Sequence, residues 1–276
     1  MVELFNERKG IMKAKLFVTD MDGTLLNSQR QISDGIKKAV KKAMDSGVIF
    51  TVATGRMHIS ALPFVKDLGV NVPIITCNGA IIKTVEGEEI FASYLDRSLV
   101  EELVEFAESQ KLYIQVYSND NLYYRKENDK SAYYCRAAGV KGNAVGDELK
   151  KYMDNVPKLL IMVDNPEEGD RVVETISEKF KGRIVAVKST PIYIELIKPG
   201  VNKGTAIARM AEKYNIPMEA VLAIGDSNND LTMLETAGFG VAMGNANENV
   251  KKIAGYEVAD CDNDGVAEAI ERFCLD

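Results

Sequence analysis

The chain has 276 residues, 46% hydrophobic and 27% charged, which is ordinary globular composition with enough apolar residues for a sizeable core in one large or two medium domains. Lys and Arg number 34 against 41 Asp and Glu, a net charge of −7, and this acidic balance without a basic stripe argues against nucleic acid and an anionic membrane surface as partners. No apolar run approaches the ~20 residues of a membrane span, and four scattered cysteines form no CxxC pair, which fits reduced thiols in a cytoplasmic protein.

The first strand begins only near Lys15, so residues 1–12 read as a loose tail, with Met12 an alternative start. Leu16, Phe17 and Val18 then lead to Asp20, Met21, Asp22, Gly23 and Thr24. Strand side chains alternate in direction, so Asp20 and Asp22 share a face while the strand continues. Two adjacent carboxylates raise one another's pKa, which a cation, a shared proton or a reaction makes useful. Taken alone, the pair reads equally well as a strand end followed by a polar Asp-Gly turn.

Ser33 is placed to cap a helix carrying Ile36, Ala39, Val40, Ala43 and Met44 at helical spacing, ended by Gly47. The nearly continuous apolar run 48–55 reads as a strand buried on both faces and ends in Thr54-Gly55-Arg56. A short helix through Leu62 and Phe64 leads to a third strand and turn over 72–82. This alternation predicts a parallel, doubly wound, Rossmann-like α/β core.

Residues 87–195 differ. Glu-rich helices near 98–109 and 167–180 accompany strands at 112–118, 158–164, 183–189 and 193–197 whose alternation fits a mixed or antiparallel sheet with helices on one side. We read this stretch as an inserted α+β domain, and 1–86 with 196–276 as one discontinuous core. The core rhythm resumes with a helix over 202–214, a strand over 221–226 ending in Asp226, a helix over 230–237, a strand over 239–244 and a last helix over 264–273.

Asp20 and Asp22, Thr54-Gly55-Arg56 and Asp226 through Asp230 fall at strand carboxyl ends, where open parallel sheets bind ligands, and Lys203 opens a helix, where an anion is welcome. DMDGTLL, TGR, a lone Lys and GDSNND, in that order, resemble the haloacid dehalogenase superfamily of phosphohydrolases. The NGA turn at 78–80 and the position of the insert resemble its Cof-type branch, subclass IIB, with a large α/β cap. The resemblance spans residues 15–274, and the four motifs together carry it far more than the cap does.

It implies a Mg²⁺-dependent phosphatase of small phosphorylated metabolites such as sugar phosphates or phosphorylated cofactors. Phosphoryl transfer needs charge neutralisation above all, and Mg²⁺ takes hard oxygen ligands. By resemblance, Asp20 and Asp226 supply carboxylates to the metal and Asp22 its backbone carbonyl. Asp20 attacks phosphorus to form an aspartyl-phosphate. Asp22, partly protonated beside its acidic neighbours, protonates the leaving alcohol and then deprotonates the hydrolytic water. The Met21 N–H, Thr54, the Gly55 N–H and Lys203 contact the phosphate, Asn229 holds phosphate or its surroundings, and Asp230 orients Lys203 or a metal-bound water. The insert is expected to act as a lid, and Tyr113, Tyr117, Tyr123, Tyr124 and Tyr193 are candidates to line it, most of them expected to pack in the cap sheet.

Other readings compete. Thr54 alone suits a helix cap, Lys203 alone a solvated lysine, and Arg56 a salt bridge at the domain edge. A Ser-His-Asp hydrolase would have to use His58, the one histidine, which better suits a packed or solvated role, and no GxSxG is present. No GxGxxG or Walker A sequence supports a nucleotide-binding enzyme. Asp226 to Asp230 begins like an EF-hand loop but fails at Leu231 and Ala237, whereas Asp260 to Glu271 fits the full calcium-loop pattern without a preceding helix, and Asp264 there suits an N-cap. Two alternative functions stay open: a phosphomutase of the same superfamily, and a non-catalytic phospho-acceptor signalling module.

Overall fold

In the computed structural model, which describes residues 13–275, the chain runs through alternating strands and helices. The expectation for residues 1–12 lies outside the described residues. The first stretch comprises β1 (Leu16–Thr19), α1 (Asp34–Asp45), β2 (Ile49–Val52), α2 (His58–Asp67), β3 (Ile74–Thr76), β4 (Ile81–Lys83) and β5 (Glu89–Ala92). The middle comprises α3 (Arg97–Ser109), β6 (Tyr113–Ser118), β7 (Asn121–Tyr124), α4 (Asp129–Ala138), β8 (Gly142–Ala144), β9 (Lys158–Met162), α5 (Pro166–Lys179), β10 (Val185–Thr190) and β11 (Tyr193–Ile197). The last comprises α6 (Lys203–Lys213), β12 (Val221–Gly225), α7 (Leu231–Thr236), β13 (Phe239–Ala242), α8 (Glu248–Ile253), β14 (Tyr256–Glu257) and α9 (Gly265–Phe273).

The central sheet has the order β14-β13-β12-β1-β2 and is parallel throughout. Every residue of β1 and β12 is buried because helices cover both faces, which explains their unbroken apolar runs. Phe17, Phe50, Leu222 and Ile224 face a core with α1 and α9, while Leu16, Val18, Val221 and Ala223 face one with Ile207 and Met210 of α6. Phe17 and Phe50 stack with ring centroids 5.3 Å apart. The Ser33 hydroxyl accepts from the Ile36 N–H at 3.0 Å and starts α1 as its sequence predicts.

Two local expectations change. The third strand touches the parallel sheet only through an Ala53–Ile75 bridge and otherwise pairs antiparallel with β4, giving a separate three-stranded sheet β3-β4-β5. The reason is the tight turn Cys77–Gly79, with Asn78 at φ 55° and Gly79 at φ 96°, which reverses the chain. Asp264 sits at the cap position of α9 with φ 57°, but its carboxylate accepts from the Ser33 hydroxyl and makes no cap bond to α9.

The cap is a six-stranded mixed sheet, order β10-β11-β9-β6-β7-β8, in which only β7 and β8 pair parallel. Leu159 and Ile161 of β9 pack with Leu99 and Leu103 of α3 and Ile176 of α5 on one face. Leu160 and Met162 point to the other face, with Tyr117, Tyr134 of α4 and Met57 of the core. The alternation along β9 therefore divides the cap's own core from the surface it turns toward the central sheet.

Gly79 fixes how the hairpin seats against α6. A Cβ there would lie 2.2 Å from the Asn202 carbonyl oxygen, at a φ that disfavours any side chain. Gly79→Ala is expected to cost about 3 kcal/mol through combined strain and overlap, read as a lowered urea midpoint. An unchanged midpoint would show that this seam is not tightly packed.

Candidate active site

β1 and β12 are neighbours in the parallel sheet, so their carboxyl ends deliver Asp20 and Asp226 side by side. The Asp20 N–H still pairs with the Ile224 carbonyl at 2.9 Å, so the strand holds its register up to that residue. The chain then turns sharply at Gly23, whose φ is 77°, and a Cβ there would lie 2.8 Å from Asp226 Oδ2. Glycine is the residue that admits this approach. Thr24 Oγ1 donates to Asp226 Oδ1 at 2.8 Å, and Ser227 Oγ to Oδ2 at 2.9 Å.

Lys203 is the first residue of α6, which Asn202 caps by accepting from the Thr205 N–H at 2.8 Å. A cation at a helix start opposes the helix dipole, and this one is also fully buried. Two carboxylates compensate: Lys203 Nζ donates to Asp20 Oδ1 and to Asp230 Oδ1, each at 2.6 Å. The other oxygen of Asp230 accepts from the N–H groups of Asp226 and Ser227, both at 3.0 Å. Asp230 is thus committed to holding Lys203 and the loop that carries Asp226.

Among the described residues, Asp20, Asp226 and Asp230 are the acidic group whose oxygens converge, one from each lying within 4.8 Å of the others. Three carboxylates face one ammonium here, a deficit of two positive charges. Burial is the largest influence on Asp20 and lifts its pKa well above the usual range; Lys203 opposes this, while Asp230 and Asp226 add to it. Burial and Asp230 push Asp226 up to about 6. Burial works against the charge of Lys203, but Asp20 and Asp230 outweigh it and raise its pKa. Hard oxygen donors with unbalanced negative charge fit a divalent cation such as Mg²⁺.

The carboxylates of the calcium-like loop are arranged otherwise. Asp260 Oδ1 accepts from the Asp262 N–H and from Asn263 Nδ2, and Asp262 Oδ1 from the Ser28 N–H. Asp260 serves its local turn and Asp262 ties the loop to Ser28, and among the described residues these carboxylates form no converging group of three.

Thr54 and Gly55 follow β2 and line the same cavity as Asp20, Asp22 and Asn229, a space of about 540 Å³ between the central sheet and the cap. Thr54 does not cap α2; its Oγ1 accepts from the Arg56 N–H at 3.1 Å. Met21 is fully buried behind the loop. The Asp22 carboxylate meets Arg56, not acidic neighbours: Nε donates to Oδ2 at 2.7 Å and Nη2 to Oδ1 at 2.6 Å. His58 packs away from this cavity with Nε2 3.0 Å from the Thr84 carbonyl.

Several contributors escape the sequence. Asn78 is buried, its N–H donates to the Thr54 carbonyl at 3.0 Å, and its Oδ1 accepts from Asn229 Nδ2 at 3.1 Å. This leaves Asn78 Nδ2 and Asn229 Oδ1 buried without a partner in the protein, as expected of groups meant for a bound polar ligand. The Asn-Gly pair was a visible turn signal, but nothing local showed where the amide points. Of the five candidate cap tyrosines, most of them expected to pack in the cap sheet, Tyr193 lines the cavity, joined by Tyr133 and Tyr134 of α4. Tyr123 instead stacks on Tyr152, centroids 4.1 Å apart.

Comparison with known proteins identifies the family and its fold. A family model for haloacid dehalogenase-like hydrolases matches residues 17–270. Phosphatase YwpJ of Bacillus subtilis is 30% identical over 94% of this chain and 99% of its own length. YcsE of Bacillus subtilis, named a 5-amino-6-(5-phospho-D-ribitylamino)uracil phosphatase, is 32% identical over 95% and 96%. A solved subclass IIB sugar phosphatase of the superfamily superposes with a TM-score of 0.82 at 25% identity, covering 94% of this chain and 99% of that one.

The buried ammonium supplies a test. Lys203→Met leaves Asp20 and Asp230 buried without their cation and is expected to cost about 3–5 kcal/mol at pH 7.5. The carboxylates then regain stability only by taking up protons, so the deficit relative to wild type should shrink at pH 5. Urea melts at both pH values measure it, and a deficit independent of pH would contradict the shared pairing.

Proposed function

The chain belongs to the haloacid dehalogenase-like hydrolase family, and on that premise we propose that this phosphatase hydrolyses small phosphate monoesters with Asp20 as nucleophile. The observation that carries the reading is the meeting of Asp20 with Lys203 and Asp226 at one end of the sheet, beside Thr54 and Gly55. Asp20 and Asp226 would hold Mg²⁺, which when bound neutralises charge on the phosphoryl oxygens.

An Asp20 oxygen attacks phosphorus and the bond to the leaving oxygen breaks, giving an aspartyl-phosphate. Lys203 sets a fixed positive charge against the transferring group, and Asp230 holds that charge in place. Thr54 Oγ1, whose acceptor side is taken by the Arg56 N–H, donates its own proton to the same group, together with the Gly55 and Met21 N–H groups. Asn229 steadies this surface through Asn78. Asp22 passes a proton to the leaving alcohol, then accepts one from the water that cleaves the acyl phosphate. Both Asp22 oxygens accept from Arg56, so at least one of those bonds must open before Asp22 carries a proton. The insert at 87–195 serves as the lid, and a leaving group lies in the cavity beneath it. Sugar phosphates and phosphorylated cofactors both suit that space, and relatives named as a sugar phosphatase and as a 5-amino-6-(5-phospho-D-ribitylamino)uracil phosphatase support small phosphate esters as substrates.

Asp20→Asn should lower kcat for p-nitrophenyl phosphate with Mg²⁺ by at least about 10³-fold while the melting temperature is kept or raised, since a buried carboxylate is removed. Near-normal turnover would overturn the nucleophile assignment. The pH dependence has a defined sign. The folded pKa of Asp226, at about 6, lies above the ~3.9 of an unfolded aspartate. Without metal, this group's contribution falls as pH rises from about 4 through 6. Added MgCl₂ should therefore raise the melting temperature at pH 7.5 and hardly at pH 5; equal shifts at both would contradict Asp226 as a ligand.

A further inference from the structure

The cap face above the active site carries a charged pair that the proposed chemistry does not use. Lys158 on β9 and Glu195 on β11 are diagonal neighbours on the face that Leu160 and Met162 also occupy. Both are almost wholly buried, at 1% and 4% exposure. Lys158 Nζ donates to Glu195 Oε2 at 2.6 Å and, across the gap between cap and core, to the Gly55 carbonyl at 2.7 Å. The ammonium also lies 4.6 Å from the Tyr117 ring centroid. Burial works against its charge, but Glu195 prevails and the pKa is pushed up to about 12. Burying two charges is expensive, and a well-packed apolar pair usually serves a fold as well or better. Leu160 and Met162 on the same face are apolar, and the one other buried polar side chain of the adjoining strand there, Gln115, is uncharged and bonded to the Tyr113 and Tyr117 hydroxyls.

Glu195 is on the wall of the 540 Å³ cavity, with Ser189 beside it. Ser189 Oγ donates to Glu195 Oε1 at 3.1 Å. A carboxylate offers about four lone-pair sites, and two of them are taken by Lys158 and Ser189. Its oxygens accept hydrogen bonds and donate none. Two of the three Lys158 donors are spent on Glu195 and the Gly55 carbonyl, and Arg56, which also lines the cavity, is held by Asp22, so Glu195 is the acceptor this part of the wall offers to whatever leaves Asp20. Tyr134 and Tyr193, with ring centroids 5.8 Å apart, supply the flat apolar surface beside it.

We propose that Glu195 is the specificity-determining residue of the cap, that it selects leaving groups rich in hydroxyl or N–H donors and rejects those with a second anionic group, and that Lys158 positions it. This rests on the phosphatase reading of the site and narrows its substrates to polyol-like or sugar-like monophosphates. Because the same ammonium holds the Gly55 carbonyl, the reader of the leaving group and the grip on the phosphate are set at a fixed separation.

The test compares kcat/KM for ribitol 5-phosphate, glucose 6-phosphate and p-nitrophenyl phosphate in wild type, Glu195→Gln and Ser189→Ala. The ratio of either hydroxylated ester to p-nitrophenyl phosphate should fall at least about tenfold in Glu195→Gln, mainly through KM, and about threefold in Ser189→Ala. Fructose 1,6-bisphosphate should be a poorer substrate than fructose 6-phosphate for wild type, and Glu195→Gln should narrow that gap. Unchanged ratios in both variants, or a wild type that prefers the bisphosphate, would overturn the proposal while leaving phosphatase activity in place. Loss of turnover with every ester, p-nitrophenyl phosphate included, in wild type would overturn the phosphatase reading and this one with it. Should Glu195→Gln not fold, as judged by circular dichroism, an unchanged ratio in Ser189→Ala decides against the proposal.

Discussion

The Lys203 ammonium, fully buried between Asp20 and Asp230, is the contact from which the rest of the site takes its shape. A lysine so placed must be paired, because an isolated buried ammonium is prohibitive. Its two partners come from β1 and from the turn after β12, so the pairing ties three distant stretches together. It also fixes Asp20 by one oxygen. The carboxylates that surround it exceed its charge, and that excess lifts the pKa values of Asp20 and Asp226. A divalent cation carries the charge that would answer that imbalance.

The sheet explains why this assembly sits where it does. Parallel strands end together, so polar residues placed after β1, β2 and β12 converge without any long loop. The loops close because small residues occupy the contact points: Gly23 against Asp226 and Gly79 against the Asn202 carbonyl. The cap reaches the same place from above. Lys158 holds the Gly55 carbonyl, the Ser60 hydroxyl donates to the last turn of α4 at Ala138, and Arg30 Nη1 donates to Ala137 at 2.6 Å. Arg56 works within the core, gripping Asp22 while its guanidinium lies 5.1 Å from the Phe64 ring centroid.

Much of this was legible in the chain because each main feature is local. An apolar run closed by Asp20, another by Thr54 and a third by Asp226 announce strand ends whatever lies between them. Helical spacing from Ile36 to Met44 gave α1, and a helix over 202–214 was expected where α6 (Lys203–Lys213) lies. What escaped depends on residues far apart in sequence. Lys158 and Gly55 are separated by 103 positions, and Asn78 and Asn229 by 151. Neither pair has a local signature, since a strand lysine and a turn asparagine are common. The tyrosines of α4 were missed because the helix itself, short and weakly patterned, was not anticipated. Arg56 beside Asp22 reversed the expected surroundings of that carboxylate, and only the fold brings them together.

The proposed chemistry requires one phosphoryl group to be gripped by Asp20, Lys203 and Thr54 at once. A crystal structure of the protein with Mg²⁺ and orthovanadate tests it most directly. It should show vanadium bonded to an Asp20 oxygen, with Lys203 Nζ and Thr54 Oγ1 on the vanadate oxygens and the metal between Asp20 and Asp226. Vanadate bound elsewhere, or bound here without Asp20, would contradict it.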